Sequence, residues 1–217
     1  MLSVDKRYRY IYKPLVFIAC SLPAVLLTAG AFGLPIENLG PDPVARILHA
    51  LGKTALNMLG ITLLVTPVRQ LTGFTHLLRL RRMLGLFAFT YVLLHFLAYL
   101  VLDRQLDLRG VGADIIKRPY ITVGFLALLL LVPLAITSTN RMMRRLGRHW
   151  TQLHRLIYVI AILGVWHYYW QVKKDVREPL LYAGMLAVLL GYRLVRRSLA
   201  ARRLTSTSGS ATAPERT

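Results

Sequence analysis

The sequence predicts an all-α, polytopic membrane protein with six transmembrane helices, and three observations carry that prediction. Of 217 residues, 55% are hydrophobic and 17% charged, and the mean hydropathy is +0.50, a balance unlike that of soluble domains. The apolar residues gather into six runs, approximately 14–33, 47–66, 83–102, 120–137, 150–170 and 179–195. A helix needs about 20 such residues to cross a hydrocarbon core roughly 30 Å thick. None of the runs alternates as the strands of a spanning barrel must, which leaves helices to satisfy the backbone in lipid.

The formal net charge of +19 belongs to this membrane reading and not to nucleic acid. With the N-terminus placed in the cytoplasm, eighteen Lys and Arg fall at cytoplasmic ends of the runs and nine at the opposite ends, with Arg155 just inside the fifth. That asymmetry is the positive-inside pattern and predicts that both termini are cytoplasmic. Nucleic-acid binding would instead gather the charge on one face or stripe. The single cysteine, Cys20, sits inside the first run, where it is expected to act as a small apolar residue. That run is too long for a signal-peptide core and no A-x-A-like cleavage site follows it, so it is expected to be retained.

Along the chain, residues 1–13 form a basic, tyrosine-rich N-terminus suited to the headgroup level. Residues 14–195 form the membrane domain. Residues 196–217 are a basic, then Ser/Thr-rich tail that reads as disordered and cytoplasmic. Pro23 in the first run requires a neighbour to satisfy the freed backbone. Asp42 and Pro43 read as the N-cap and first residue of the second helix. Arg46, His49 and Lys53 share one face of that helix, either snorkelling to the interface or holding an anion. The loop before the third run carries His76, expected to be solvated. Arg81, Arg82 and Gly85 stand at the mouth of the third run. The segment 103–119 suggests a short interfacial helix, Pro133 a kink in the fourth run, and Ser138 or Thr139 a cap for a small amphipathic turn. No internal repeat is evident.

Three of the six histidines lie deep in apolar runs: His95 in the third, His154 and His167 in the fifth. A hydrogen-bonded core histidine is the ordinary explanation in a soluble protein, but inside a membrane an ionisable side chain is a functional candidate by default. His154 and His167 are about 19.5 Å apart along one helix, too far for one metal ion and unlike a local zinc site. An ideal helix turns their rings about 140° apart, unless a bend near Gly164 brings them together. Counted from the same side of the membrane, His154 lies about 6 Å deep, His95 about 18 Å and His167 about 25 Å. His95 and His167 are therefore the expected axial pair for an iron, with His154 the lesser candidate and His49 behind it. The positions thirteen and fourteen residues before His95 are Arg82 and Arg81, so one complete pair is expected. These arginines are suited to anchoring at the interface, or to a propionate or flavin phosphate.

The segments RRMLGL, LLHFLAYL, GPDPV with HALGKTAL, and AITSTNRMMRRLGRHWTQLHRLIYVIAILGVWHYYW resemble the haem-binding membrane subunits of bacterial periplasmic methionine sulfoxide reductase systems. Those subunits belong with the ferric-reductase-like transmembrane domains, which include the NADPH oxidases. The likeness runs from about residue 40 to residue 193, and the histidine pair after LGRHW is its most specific part. It implies a ferric-reductase-like bundle binding b-type haem non-covalently, with His95, His154 and His167 at the matching positions; the single complete pair points to one haem. The lack of a C-x-x-C-H motif agrees with non-covalent attachment. FMN is implied by the resemblance alone.

No G-x-G-x-x-G is present, so electrons are expected from a separate cytoplasmic flavin reductase or the quinone pool. The acceptor implied is a periplasmic molybdenum-dependent reductase that repairs oxidised methionine. The sequence accordingly reads as an electron-transfer subunit of the bacterial inner membrane, with the catalytic chemistry in its partner. A small proton-coupled transporter using buried histidines as a relay is the alternative. Intramembrane acids, which such a relay favours, are absent from the apolar centres.

Overall fold

A computed structural model describes residues 7–35, 38–74, 77–172 and 175–210. Its helices are α1 (Tyr8–Ala31), α2 (Pro43–Thr72), α3 (Leu77–Asp103), α4 (Leu108–Lys117), α5 (Pro119–Ile136), α6 (Asn140–Leu146), α7 (Arg148–Leu153), α8 (Leu156–Gln171) and α9 (Arg177–Ser210). No strand occurs among the described residues. His76, Lys173, Lys174 and residues 211–217 of the tail lie outside them, and α9 continues through the earlier part of that tail.

Local sequence explains where the helices begin and end. Asp42 caps α2 by accepting from the Ala45 amide at 3.0 Å, with Pro43 following. Gly73, at φ +75°, closes the same helix in the left-handed conformation that glycine adopts without steric cost. The interfacial helix is α4, capped by Asp107. Thr139 caps α6 through the Met142 amide at 3.2 Å.

Four helices form the centre. The longest contacts run between α2 and α3 and between α5 and α8, and contacts of α3 with α5 and of α2 with α8 close the bundle. Helix α1 packs on α2 and α3, and α9 on α8 and α2. Leu63, Ala88, Tyr91 and Ile160 sit fully buried in the shared core. Ile18, Val25, Leu129 and Val188 point outward, as side chains facing lipid do.

Among the described residues, five helices are long and apolar enough to cross a membrane: α1, α2, α3, α5 and the stretch Arg177–Arg196 of α9. The expected fifth span is divided. Bonds from Arg155 N to Gln152 O, from Ile157 N to His154 O and from Tyr158 N to Arg155 O replace the regular ladder. These are i→i+3 contacts that tighten the chain into a turn between α7 and α8. The apolar part, α8, is 16 residues long. The bend lies at His154–Arg155 and not at Gly164; Arg155 is exposed there, and the His154 ring is half-buried against Thr137.

Beside Pro23, a side chain of a neighbouring helix bonds the α1 backbone. The hydroxyl of Tyr91 on α3 donates to Cys20 O at 2.6 Å and accepts from Ala24 N at 3.2 Å. Those two groups are i and i+4 in α1 and would ordinarily bond each other. The phenol thus bonds both groups beside the proline, tying α1 to the central bundle.

Candidate functional site

Inside the bundle a cavity of about 340 Å³ opens between α2, α3, α5 and α8. Leu59, Leu131 and Ile160 make its apolar wall, while His49, Arg118 and Gln171 stand at its polar end. A deep apolar cavity with a few convergent polar groups is the usual form of a cofactor site.

His95 from α3 and His167 from α8 both face this cavity, with ring centres 6.1 Å apart and planes at 77°. Each ring is fixed at the same atom. His95 Nδ1 bonds Leu48 O at 2.9 Å, and His167 Nδ1 bonds Tyr120 O at 2.7 Å. A carbonyl can only accept, so both Nδ1 atoms carry the proton and both Nε2 atoms are left as lone-pair donors. Metal-binding imidazoles are commonly oriented in this way, by a hydrogen bond donated from the ring nitrogen that does not face the metal. Two imidazoles on opposite sides of one metal put their ring centres roughly 6 Å apart, which the observed separation matches. No group of three or more His, Cys, Asp or Glu that could hold a metal ion occurs among the described residues. The pair suits a metal whose remaining ligands come from a macrocycle.

His154 is elsewhere. Its Nε2 lies 3.3 Å from Thr137 Oγ1 and its ring stacks on Trp150 at 3.9 Å. The two histidines of the fifth run therefore do not share a site. Arg81 lies within electrostatic range of His154, Tyr158 and Arg193, and Arg82 bonds Asn140. His49 is exposed at the cavity mouth, 3.4 Å from Gln171 Nε2. Lys53 is taken up by Glu178 at 2.7 Å, and Tyr168 donates to the same carboxylate at 2.5 Å. That part of the predicted cationic stripe joins α2, α8 and α9 through a carboxylate of the chain itself.

Asp114 of α4 anchors the cavity's rim. It accepts from Tyr99 at 2.6 Å, from Arg104, and from Arg118 at 3.2 Å. Arg118 leads directly into α5 and hence to the Tyr120 carbonyl that holds His167. Burial pushes the Asp114 carboxyl up, but the Tyr99 hydroxyl and the two guanidiniums outweigh it and hold it below the ordinary 3.8. A depressed carboxylate stabilises the fold above its unfolded pKa, and that contribution is lost as pH falls through the lower folded value. Asp114→Asn should therefore lower the thermal midpoint in detergent at pH 5–7, with the gap from wild type closing only below about pH 3.8. An unchanged midpoint at neutral pH would remove the anchoring role.

Comparison with known proteins gives the chain its family. The family described as ferric reductase like transmembrane component matches residues 51–165. A protein-methionine-sulfoxide reductase heme-binding subunit MsrQ of Xanthomonas campestris pv. campestris (strain 8004) is 59% identical over 170 residues, 78% of each chain. The subunit of the same name from Rhodospirillum rubrum is 52% identical over 181 residues, 83% of this chain and 86% of that one. The chain belongs to the ferric reductase like transmembrane family, with the MsrQ subunits. In this ferric-reductase-like chain the family match takes in His95 and His154 and ends two positions before His167.

Sequence reasoning passed over two residues of the site. Gly52 and Gly124 lie directly against the rings of His95 and His167, and single glycines in apolar runs carry no signal of their own. It also missed the acceptors, since backbone carbonyls have no sequence signature.

Proposed function

We propose that this chain is the haem-carrying, electron-passing membrane subunit of a protein-methionine-sulfoxide reductase system, with His95 and His167 as axial ligands of one b-type haem. One observation carries the reading: two imidazoles lining one apolar cavity with ring centres 6.1 Å apart, each tied at Nδ1 to a carbonyl, which leaves Nε2 as the lone-pair donor. The bound iron would accept and release one electron at a time, at a potential tuned by its ligands and by burial. The chain's own residues do the rest. His95 and His167 hold and orient the group, Ile160 and Leu131 exclude water, and Arg118 at the polar end offers a counter-charge for a carboxylate.

The charge asymmetry supports an orientation in the membrane. The basic end faces the cytoplasm by the positive-inside rule, so the termini are cytoplasmic, the membrane is the bacterial inner one, and the histidine pair lies toward the periplasm. Electrons enter from a cytoplasmic flavin reductase or quinol and leave to a periplasmic, molybdenum-dependent catalytic subunit. FMN rests on the likeness alone, and no step is derived for it. A proton relay is less well supported, because both paired rings end on backbone carbonyls and not on titratable side chains.

Purification in detergent tests the reading. The expected result is a coloured protein with the spectrum of six-coordinate, low-spin b-type haem. A colourless protein that cannot be loaded with haem sinks the proposal.

A further inference from the structure

The two histidines are held by the same device used twice. His95 bonds the carbonyl 47 positions before it, and so does His167. Four residues after each acceptor stands a glycine, Gly52 after Leu48 and Gly124 after Tyr120. Two residues before each acceptor stands an arginine, Arg46 and Arg118. One displacement along the chain carries Arg46, Leu48, Gly52 and His95 onto Arg118, Tyr120, Gly124 and His167. The repeat is invisible to the eye because the residues between these points differ. The same displacement carries Arg82 onto His154, so the device is not duplicated at the basic end.

The reason for a glycine at that place is steric. Side chains on a helix lean toward its N-terminus, so the residue at i+4 covers the carbonyl of residue i. That carbonyl already accepts one intrahelical bond and has a second lone pair, which an imidazole can reach only if the covering side chain is missing. The contacts agree. A Cβ on Gly124 would come within 2.8 Å of His167 Nδ1 and 2.9 Å of Cε1, and one on Gly52 within 3.3 Å of His95 Cε1 and 3.4 Å of Nδ1. The first clash forces the ring to move. The second asks it to yield by a few tenths of an ångström.

We infer that Gly52 and Gly124 are positioning residues, which bare the Leu48 and Tyr120 carbonyls so that each histidine is locked with its proton on Nδ1 and its Nε2 kept for the metal. The inference rests on the haem reading for its consequence, but the locking itself is a property of the chain. An imidazole that donates from Nδ1 is a more basic ligand and so favours ferric iron. Loss of the bond should raise the midpoint potential and loosen the haem.

The test compares full-length wild type with Gly124→Ala, Gly52→Ala and Gly85→Ala in detergent. Gly85 lies between α2 and α3 with its nearest outside atom, Thr62 Cγ2, at 3.9 Å, and controls for helix packing. Gly124→Ala is expected to retain haem roughly 10- to 100-fold less tightly, with a raised midpoint and altered ferric EPR g values. Gly52→Ala should shift both in the same direction by less, and Gly85→Ala should shift neither. A packing defect alone would lower yield or thermal stability without moving the potential of the haem that remains. Wild-type potentials in both Gly52→Ala and Gly124→Ala overturn the inference. Histidine ¹⁵N NMR of the haem-free full-length chain gives a second reading. Protonated Nδ1 and bare Nε2 on both rings support the device, even in a wild type that never takes up haem, whereas protonated Nε2 on either ring overturns it.

Discussion

Replacing either His95 or His167 with alanine should abolish the b-type haem spectrum, while His154→Ala should leave it in place. Each paired ring is expected to supply one iron ligand, and disturbing even the partners of such ligands weakens metal binding about 10- to 100-fold. The fold should survive both changes. The carbonyls of Leu48 and Tyr120 keep their intrahelical bonds once the imidazoles are gone, so no buried polar group is orphaned. His154→Ala removes a bond to Thr137 and a stacked contact with Trp150, both away from the cavity. Haem per mole of purified protein, read from reduced-minus-oxidised spectra, decides the matter. Loss confined to His154→Ala would reverse the assignment of ligands.

The second large effect is expected at Tyr91, whose side chain is 1% exposed and whose hydroxyl stands between Cys20 O and Ala24 N. Tyr91→Phe keeps the ring and removes the hydroxyl that both backbone groups bond, at a cost of about 1–3 kcal/mol. Tyr91→Ala also opens a cavity, raising the loss to roughly 3–5 kcal/mol. Thermal midpoints in one detergent should therefore fall in the order wild type, Phe, Ala. A Phe variant as stable as wild type would mean that α1 closes its own ladder without help.

The helical class was legible because a bilayer demands long apolar runs, and the caps at Asp42 and Thr139 because their chemistry is local. Depth counting from the same side of the membrane placed His95 and His167 near each other, and the structure brings those two rings together. The division of the fifth run was not legible. HWTQLHRL contains no proline or glycine, and the partner of the His154 ring, Thr137, lies 17 positions away at the end of α5. The role of Tyr91 was likewise not legible, since its partners lie 71 and 67 positions away in α1. Gly52 and Gly124 became meaningful only when the rings above them were located.

The paired rings come from opposite halves of the bundle, one from the α2–α3 side and one from the α5–α8 side. Any group gripped by both binds the folded chain and not the unfolded one, and mass action then adds its binding free energy to folding. At a free concentration 100 times the dissociation constant that is about 2.7 kcal/mol. Cells short of the group would accordingly hold less of this protein, whatever the rate of its synthesis.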